Sequence, residues 1–202
     1  MKNKKILFLI ALVFVLLMGG VYILYHNLTQ NTAPNQLLTQ NEDSASQNSS
    51  SSSFSSQEED DSRVPAPDFT VYDKEGNEVH LSDYVGKPIV LNFWASWCGP
   101  CKSEMPDFNE AYQTLGNNVQ FLMVNMTGTN NETVDSASSY VEEQGFEFPV
   151  FYDTDYDAAL TYGAYSLPTT YFIDAEGYAV AQAKSAISAE TLQKGIDMIY
   201  QP

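Results

Sequence analysis

The feature that most restricts the fold is a cysteine pair at the start of a predicted helix. Cys98 and Cys101 are the only cysteines in the 202 residues, and two residues separate them. The apolar run Pro88–Trp94 predicts a buried central strand just before the pair, and residues 98–115 predict a helix. A strand that leads directly into a helix indicates an α/β domain with the cysteines at the junction.

This position suits thiol chemistry. The thiolate is the reactive form of cysteine, and the N–H groups and dipole of a helix N-terminus stabilise it, so Cys98 is expected to be the attacking thiol. Cys101 lies one helical turn further on the same face and is expected to resolve a mixed disulfide. Gly99 and Pro100 fit the first turn, where a missing N–H costs little. The spacing predicts dithiol–disulfide exchange, with no cofactor beyond the Cys98–Cys101 disulfide.

Other uses of two cysteines fit the sequence less well. A structural disulfide across so short a loop constrains the unfolded chain little. A zinc site needs further ligands, and the only histidines are His26 and His80, so we expect no metal site. A copper-delivery protein would want a histidine beyond the pair, where the sequence has none.

The N-terminus carries a membrane signal. Lys2, Lys4 and Lys5 precede an uncharged run from Ile6 to Tyr25, and such a run at ~1.5 Å per residue reaches about 30 Å, the thickness of a hydrocarbon core. Because the lysines flank one end only, the N-terminus is expected in the cytoplasm and the rest of the chain outside. We therefore expect residues 1–26 to be an uncleaved signal-anchor of a single-pass membrane protein; a cleaved signal peptide is the alternative.

Residues 27–63 have the composition of a disordered linker. Ser49–Ser53 is a serine run and Glu58–Asp61 an acidic run, with little apolar surface to offset the entropy of ordering. Residues 64–202 remain as the folded domain. The formal net charge of −17 predicts that nucleic acid, which is also negative, is not a partner.

Within the domain, the predicted elements begin with a hairpin and close with a second hairpin and a final helix. The first pairs Phe69–Tyr72 with Val79–Leu81. Strands and helices then alternate, which indicates a sheet with helices on both faces. Pro106 predicts a kink in the helix at residues 98–115. The strands predicted after this helix are Val119–Met126, Val150–Tyr152, Thr169–Asp174 and Tyr178–Ala183. The helices predicted after it are Glu132–Gln144, Asp157–Tyr162 and a last one from a Ser188 cap to Tyr200.

The segment Phe93–Cys101 reads Phe-Trp-Ala-Ser-Trp-Cys-Gly-Pro-Cys and resembles the active site of the thioredoxin superfamily. The wider pattern resembles the TlpA/ResA group of membrane-anchored extracytoplasmic proteins, of the AhpC/TSA-redoxin type. The resemblance implies a thioredoxin-like fold, with a central mixed sheet flanked by helices, an N-terminal hairpin and an inserted αβ unit between residues 132 and 152. Its other matching segments are Ala66–Phe69, Leu81–Lys87, Cys101–Pro106 and Leu167–Asp174.

The resemblance also implies a proton acceptor. Thioredoxin keeps a buried aspartate on the strand before its dithiol, and here that position is Asn92, which cannot carry a proton. Glu104 matches the glutamate that follows the dithiol in the TlpA/ResA group. One turn from Cys101, it is expected to accept a proton from that thiol, given a raised pKa. The alternative is an ordinary surface glutamate of the helix.

A second implication concerns substrate contacts. The resemblance implies a cis bond between Leu167 and Pro168 beside the dithiol, with the Leu167 backbone pairing with extended client segments. Trp97 borders Cys98 and is expected to form part of the client-binding surface. Gly99 and Pro100, between the cysteines, complete the expected substrate-binding residues.

The implied function is extracytoplasmic thiol–disulfide exchange by a monomer, reducing disulfides in exported clients. Gly99–Pro100 resembles the reducing thioredoxins. Because an oxidising compartment would keep the cysteine pair as a disulfide, the dithiol needs electrons from a partner, and the implied partner is a membrane donor of the CcdA/DsbD type. Apocytochrome c, in cytochrome c maturation, and methionine sulfoxide reductase both remain possible clients.

Two other functions stay open. One is a thiol peroxidase, although Ala95 stands where peroxiredoxins carry Thr or Ser. The other is a tethered binding module whose cysteines are incidental.

Overall fold

The computed structural model describes Gly19, residues 37–39 and residues 63–201. Apart from Gly19, the predicted anchor at residues 1–26 lies outside the described residues, as does nearly all of the predicted linker at residues 27–63. Among the residues described, no helix is long and apolar enough to cross a bilayer. The signal-anchor therefore stays a prediction.

The predicted alternation of strands and helices is confirmed. The first two strands, β1 and β2, are short. The described strands are β1 (Leu38–Thr39), β2 (Val64–Pro65), β3 (Thr70–Tyr72), β4 (Glu78–His80), β5 (Ile89–Trp94), β6 (Gln120–Asn125), β7 (Val150–Tyr152), β8 (Thr169–Ile173) and β9 (Tyr178–Lys184). The helices are α1 (Gly99–Leu115), α2 (Val134–Gln144), α3 (Asp157–Tyr162) and α4 (Ala189–Ile199), with 3-10 turns at Leu81–Tyr84 and Thr129–Asn131.

All of the described strands form one mixed sheet. Its order is β1-β9-β8-β5-β6-β7-β3-β4, and β2 also pairs with β9. Strands β5, β6 and β7 are parallel, whereas β8 and β3 run antiparallel to their neighbours. Because β5 pairs on both sides and every one of its residues is buried, the predicted central strand is confirmed. The arrangement is the thioredoxin-like one that the resemblance implies.

The strand periodicity of two divides the core between the two faces of the sheet. Val90 and Trp94 pack on one face with residues of α1, α2 and α4. Leu91 and Phe93 pack on the other face with residues of α3 and the turn at Leu81–Tyr84. Asn92 has the same parity as Val90 and Trp94, so its side chain is directed toward α1.

Local signals set the helix ends. Thr133 caps α2 by accepting the N–H of Ser136 at 3.0 Å, and Gly145 ends it at a φ of 69°, where a residue without Cβ is favoured. Ser188 caps α4 as predicted. Helix α1 continues through Pro106 without interruption.

Most predicted element ends differ from the structure by at most one residue, and two differences are larger. Helix α2 begins at Val134 rather than at Glu132, because Thr133 takes the cap position. Leu38 and Thr39, which the composition assigns to the linker, form β1 against Gln182 and Ala181 of β9. Leu37 packs beside them against the core, and this apolar contact, invisible in the local composition, accounts for the strand.

Candidate active site

The dithiol lies where the sequence predicts it, at the N-terminus of α1. Cys98 is the N-cap residue, and Gly99 and Pro100 form the first turn. Cys98 and Cys101 are joined as a disulfide with a Cα–Cα distance of 5.3 Å. The backbone N–H of Cys101 donates to Cys98 Sγ at 3.2 Å. The same N–H group is placed to stabilise a Cys98 thiolate once the disulfide is reduced.

The two sulfurs differ in access. Cys98 keeps 4% of its surface exposed and Cys101 none, whereas Trp97 beside them is 44% exposed. A client disulfide that approaches from solvent therefore meets Trp97 and Cys98 first. Cys101 lies behind Cys98, as a resolving thiol would.

Glu104 is a buried acid one helical turn beyond Cys101. It is 1% exposed, so a surface position is excluded. Its Oε1 accepts a hydrogen bond from Asn92 Nδ2 at 2.9 Å, and its Oε2 accepts one from the backbone N–H of Ile187 at 2.9 Å. Burial raises the pKa of Glu104 to about 7, the two hydrogen bonds oppose the rise, and the charge of Asp107 adds to it. The carboxyl is therefore poised to gain or lose a proton near neutral pH.

Asn92 holds Glu104 from the sheet. It is fully buried, and its Nδ2 donates to Thr170 Oγ1 at 2.9 Å as well as to Glu104. Its Oδ1 has no hydrogen-bond partner among the described residues. Because both oxygens of Glu104 face N–H donors, this arrangement favours the ionised carboxylate and offsets part of the cost of burying it.

The Leu167–Pro168 peptide bond is cis, as the resemblance implies. Pro168 immediately precedes β8, in which Thr169 pairs with Phe93 near the end of β5. The chain leaves β5 at the same edge of the sheet to form the dithiol turn. Leu167 and Trp97 line one cavity, so two of the five predicted substrate-binding residues meet on one surface.

That cavity is a feature that the sequence did not reveal. It has a volume of about 540 Å³, within the size range of ligand pockets, and its walls are mostly apolar. Leu160 and Tyr165 on its rim are 63% and 83% exposed. The residues come from four separate segments of the chain, and no local pattern joins them. They are Trp97, Met126, Thr129, Asn130, Tyr156, Ala159, Leu160, Ala164, Tyr165 and Leu167.

Backbone strain accumulates around this cavity. Asn130 and Tyr156 have φ angles of 47° and 62°, in the left-handed region that side-chain-bearing residues seldom adopt. The hydroxyl of Tyr156 lies against Gly128, where a Cβ would have no room. Strained backbone of this kind tends to cluster at functional sites.

Sequence reasoning also missed Glu132. It is 4% exposed, and its carboxylate accepts hydrogen bonds from Ser96 and Asn125. The sequence prediction made it the first residue of the helix at Glu132–Gln144, outside that helix's apolar face, and nothing in the local pattern marks it as buried.

Two competing chemistries, a metal site and a peroxidase, concern residues that the structure describes. Within the described ranges, no three His, Cys, Asp or Glu side chains come together as metal ligands. His80 lies in β4 with Nδ1 at 3.3 Å from Thr70 Oγ1. Ala95 is buried in the turn before Cys98 and offers no hydroxyl where peroxiredoxins carry one.

Known proteins are similar to this chain in sequence and in fold. The AhpC/TSA family model matches residues 63–181. Thiol-disulfide oxidoreductase ResA from Geobacillus thermodenitrificans is 36% identical over 137 residues, which cover 66% of this chain and 75% of the relative. The Bacillus subtilis ResA is 32% identical over 135 residues, covering 66% and 73%.

Solved structures of thiol–disulfide interchange proteins are similar to this chain in fold. A putative thiol:disulfide interchange protein DsbE from Chlorobium tepidum has a TM-score of 0.59 and 31% identity, covering 66% of this chain and 94% of that one. A DsbF homologue from Corynebacterium diphtheriae has a TM-score of 0.60 and 29% identity, covering 70% and 89%. With the dithiol at the head of α1, these matches establish thiol–disulfide exchange as the activity and disulfide-containing proteins as the clients. The chain belongs to the AhpC/TSA family and is a ResA-like thiol-disulfide oxidoreductase of the thioredoxin superfamily.

Proposed function

We propose that this oxidoreductase acts outside the cytoplasm, held at the membrane by residues 1–26, and reduces disulfides in exported client proteins. The uncharged run behind the N-terminal lysines supports the location. The observation that carries the chemistry is the layered arrangement of Cys98 near the surface with Cys101 and Glu104 buried behind it. Gly99–Pro100 supports the reducing direction through its resemblance to reducing thioredoxins.

The reaction proceeds in two exchanges. The Cys98 thiolate attacks one sulfur of the client disulfide, forms a mixed disulfide and releases the other client sulfur as a thiolate. Glu104 then takes the proton of Cys101, whose thiolate attacks Cys98 Sγ and closes the Cys98–Cys101 disulfide. The second client thiolate leaves, and the two client thiolates take up the two protons that Cys98 and Cys101 gave up, the latter released again by Glu104. The client gains two electrons and two protons, and the dithiol loses them.

The client is bound beside Cys98. In this proposal, an extended client segment lies along Leu167 and Pro168, against the exposed face of Trp97 and over Gly99–Pro100. The apolar cavity next to Trp97 and Leu167 receives a side chain of that segment. Because the cavity walls are apolar, burial of an apolar client side chain supplies the binding energy.

The oxidised dithiol must be reduced again after each turnover. We propose a membrane electron donor of the CcdA/DsbD type, since an oxidising compartment supplies no reductant of its own. An anchored domain would meet such a donor in the plane of the membrane. Apocytochrome c and methionine sulfoxide reductase are the proposed client classes, the first of which would place the protein in cytochrome c maturation.

Trapping in cells tests the proposal. A full-length Cys101→Ala variant should retain clients as mixed disulfides on Cys98, because no thiol remains to resolve them. The matched control, with Cys98→Ala added, should retain none. Captured proteins should be exported ones that accumulate in oxidised form when the wild-type gene is deleted. Capture of cytoplasmic proteins alone would contradict the proposed location outside the cytoplasm. Clients that accumulate in reduced form after deletion would show that the protein oxidises its clients rather than reduces them.

A further inference from the structure

Glu132 is a buried carboxylate with three donors and no part in the reaction described above. Its Oε1 accepts the backbone N–H of Ser96 at 2.8 Å and Asn125 Nδ2 at 2.8 Å. Its Oε2 accepts the hydroxyl of Ser96 at 2.6 Å. Burying a charge is costly unless it is fully hydrogen-bonded, and here both oxygens are satisfied. Such an arrangement fixes the groups that donate to it.

The donors belong to segments that meet at the dithiol. Ser96 lies in the turn between β5 and α1, two residues before Cys98, and the N–H of Cys98 donates to Ala95 O at 3.1 Å within the same turn. Asn125 is the last residue of β6. Glu132 thus fastens the turn that carries Trp97 and Cys98 to the neighbouring strand.

The backbone of Glu132 closes the rim of the cavity. Its carbonyl accepts the N–H of Gly128 at 2.8 Å, and its own N–H donates to Thr129 O at 2.8 Å. Thr129 and Asn130 in this loop line the cavity beside Trp97. One residue therefore holds both the cavity rim, through its backbone, and the dithiol turn, through its side chain.

We propose that Glu132 is a positioning residue for the exchange reaction, which keeps the Ser96–Cys98 turn in fixed register with the rim of the cavity. A client segment seated in the cavity then presents its sulfur to Cys98 at a constant distance. Misplacement of reacting atoms by about 1 Å costs up to roughly 100-fold in rate, so a looser turn lowers the rate of exchange even where the fold survives.

Geometry and charge can be separated by substitution. Glu132→Gln keeps an oxygen for Ser96 N–H and Asn125, and its new N–H can donate to the Ser96 hydroxyl, so the turn stays fastened without the charge. Glu132→Ala releases the turn. Ser96→Ala removes only the 2.6 Å bond. Glu143→Gln, on the exposed face of α2, is the matched control.

The experiment measures insulin reduction and the pH dependence of Cys98 alkylation in the full-length chain, after circular dichroism has shown which variants are folded. We expect Glu132→Ala to lose about tenfold in kcat/KM and Ser96→Ala about threefold, with Glu132→Gln and the control within about twofold of wild type. The pH at the midpoint of Cys98 alkylation should fall in Glu132→Gln, because a nearby anion no longer opposes the thiolate. It should rise in Ser96→Ala, because the Glu132 carboxylate has lost one hydrogen-bond donor and its charge is less neutralised.

Three results would overturn the proposal. One is wild-type exchange by folded Glu132→Ala. Another is a Glu132→Gln variant as slow as Glu132→Ala, which would assign the effect to stability or charge rather than to position. If Glu132→Ala does not fold, wild-type exchange and alkylation in Ser96→Ala overturn it equally.

Discussion

Glu104 Oε2 accepts the backbone N–H of Ile187, which is 83 residues later in the chain, at a distance of 2.9 Å. The bond joins the first turns of α1 to the segment just before α4. It holds the carboxylate behind the dithiol in one orientation, and it stabilises the ionised form. The position of the proposed proton acceptor for Cys101 thus depends on a contact between two segments that are distant in the sequence.

The first prediction concerns the nucleophile. Cys98→Ala should abolish the reduction of insulin disulfides by a dithiol donor, since Cys101 is buried and cannot reach a client. Turbidity of the precipitating insulin B chain measures the rate. Ser139→Ala, on the exposed face of α2, should leave the rate unchanged. Equal rates for wild type and Cys98→Ala would contradict the role of Cys98 and favour the alternative of a tethered binding module whose cysteines are incidental.

The second prediction concerns proton transfer. Glu104→Gln should slow the resolving step by about 100-fold, in the usual range for loss of a general base. Because burial raises the pKa of Glu104 to about 7, the wild-type resolving rate should increase as pH rises through about 7, as the carboxyl ionises. Stopped-flow measurement of mixed-disulfide decay between pH 5 and pH 9 checks both, with Glu110→Gln, exposed on α1, as control. A pH profile of the resolving rate that is the same in Glu104→Gln and wild type would show that Glu104 does not accept the proton of Cys101.

The third prediction is the pH dependence of stability. The pKa of Glu104 is raised from 4.5 to about 7 in the folded state, so the unfolded chain ionises first and stability falls as pH rises from 4.5 to about 7. The Glu104 carboxyl alone should lower the free energy of unfolding by about 3 kcal/mol at pH 8 relative to pH 4. Burial also raises the pKa of Asp153, so the difference between wild type and Glu104→Gln isolates the Glu104 contribution.

Urea unfolding of the oxidised protein at pH 4, 6 and 8 measures that difference. Glu104→Gln should gain stability relative to wild type as pH rises, whereas Glu110→Gln should show no such trend. A difference that stays constant across the three pH values would contradict a raised pKa at Glu104.

The fourth prediction concerns client binding. Leu160→Asp and Tyr165→Asp place a charge on the rim of the apolar cavity and should raise KM for a protein client about tenfold while leaving kcat nearly unchanged. Reactivity toward a small disulfide such as oxidised glutathione, which does not fill the cavity, should stay at the wild-type level. Met198→Asp, exposed on α4, is the control. Equal losses for protein and small disulfides would show that the cavity does not bind clients.

Much of the fold could be predicted from local sequence. The hairpins, the central strand and the helix cap at Ser188 depend on periodicity and on short-range hydrogen bonds, and the structure reproduces them within about two residues. The dithiol position was predictable for the same reason, because Cys98 and Cys101 lie on the helix whose N-terminus activates them.

The remaining features of the site depend on contacts between distant segments. The sequence by itself determined which residues are chemically able to act: two cysteines at a helix start, an asparagine on the strand and a glutamate one turn on. Only the tertiary structure decided that Glu104 is buried, that Glu132 fastens the dithiol turn, and that Trp97 and Leu167 share a cavity. Burial and long-range hydrogen bonds are set by the packing of helices on a sheet, and a local pattern carries no information about which residues that packing excludes from water.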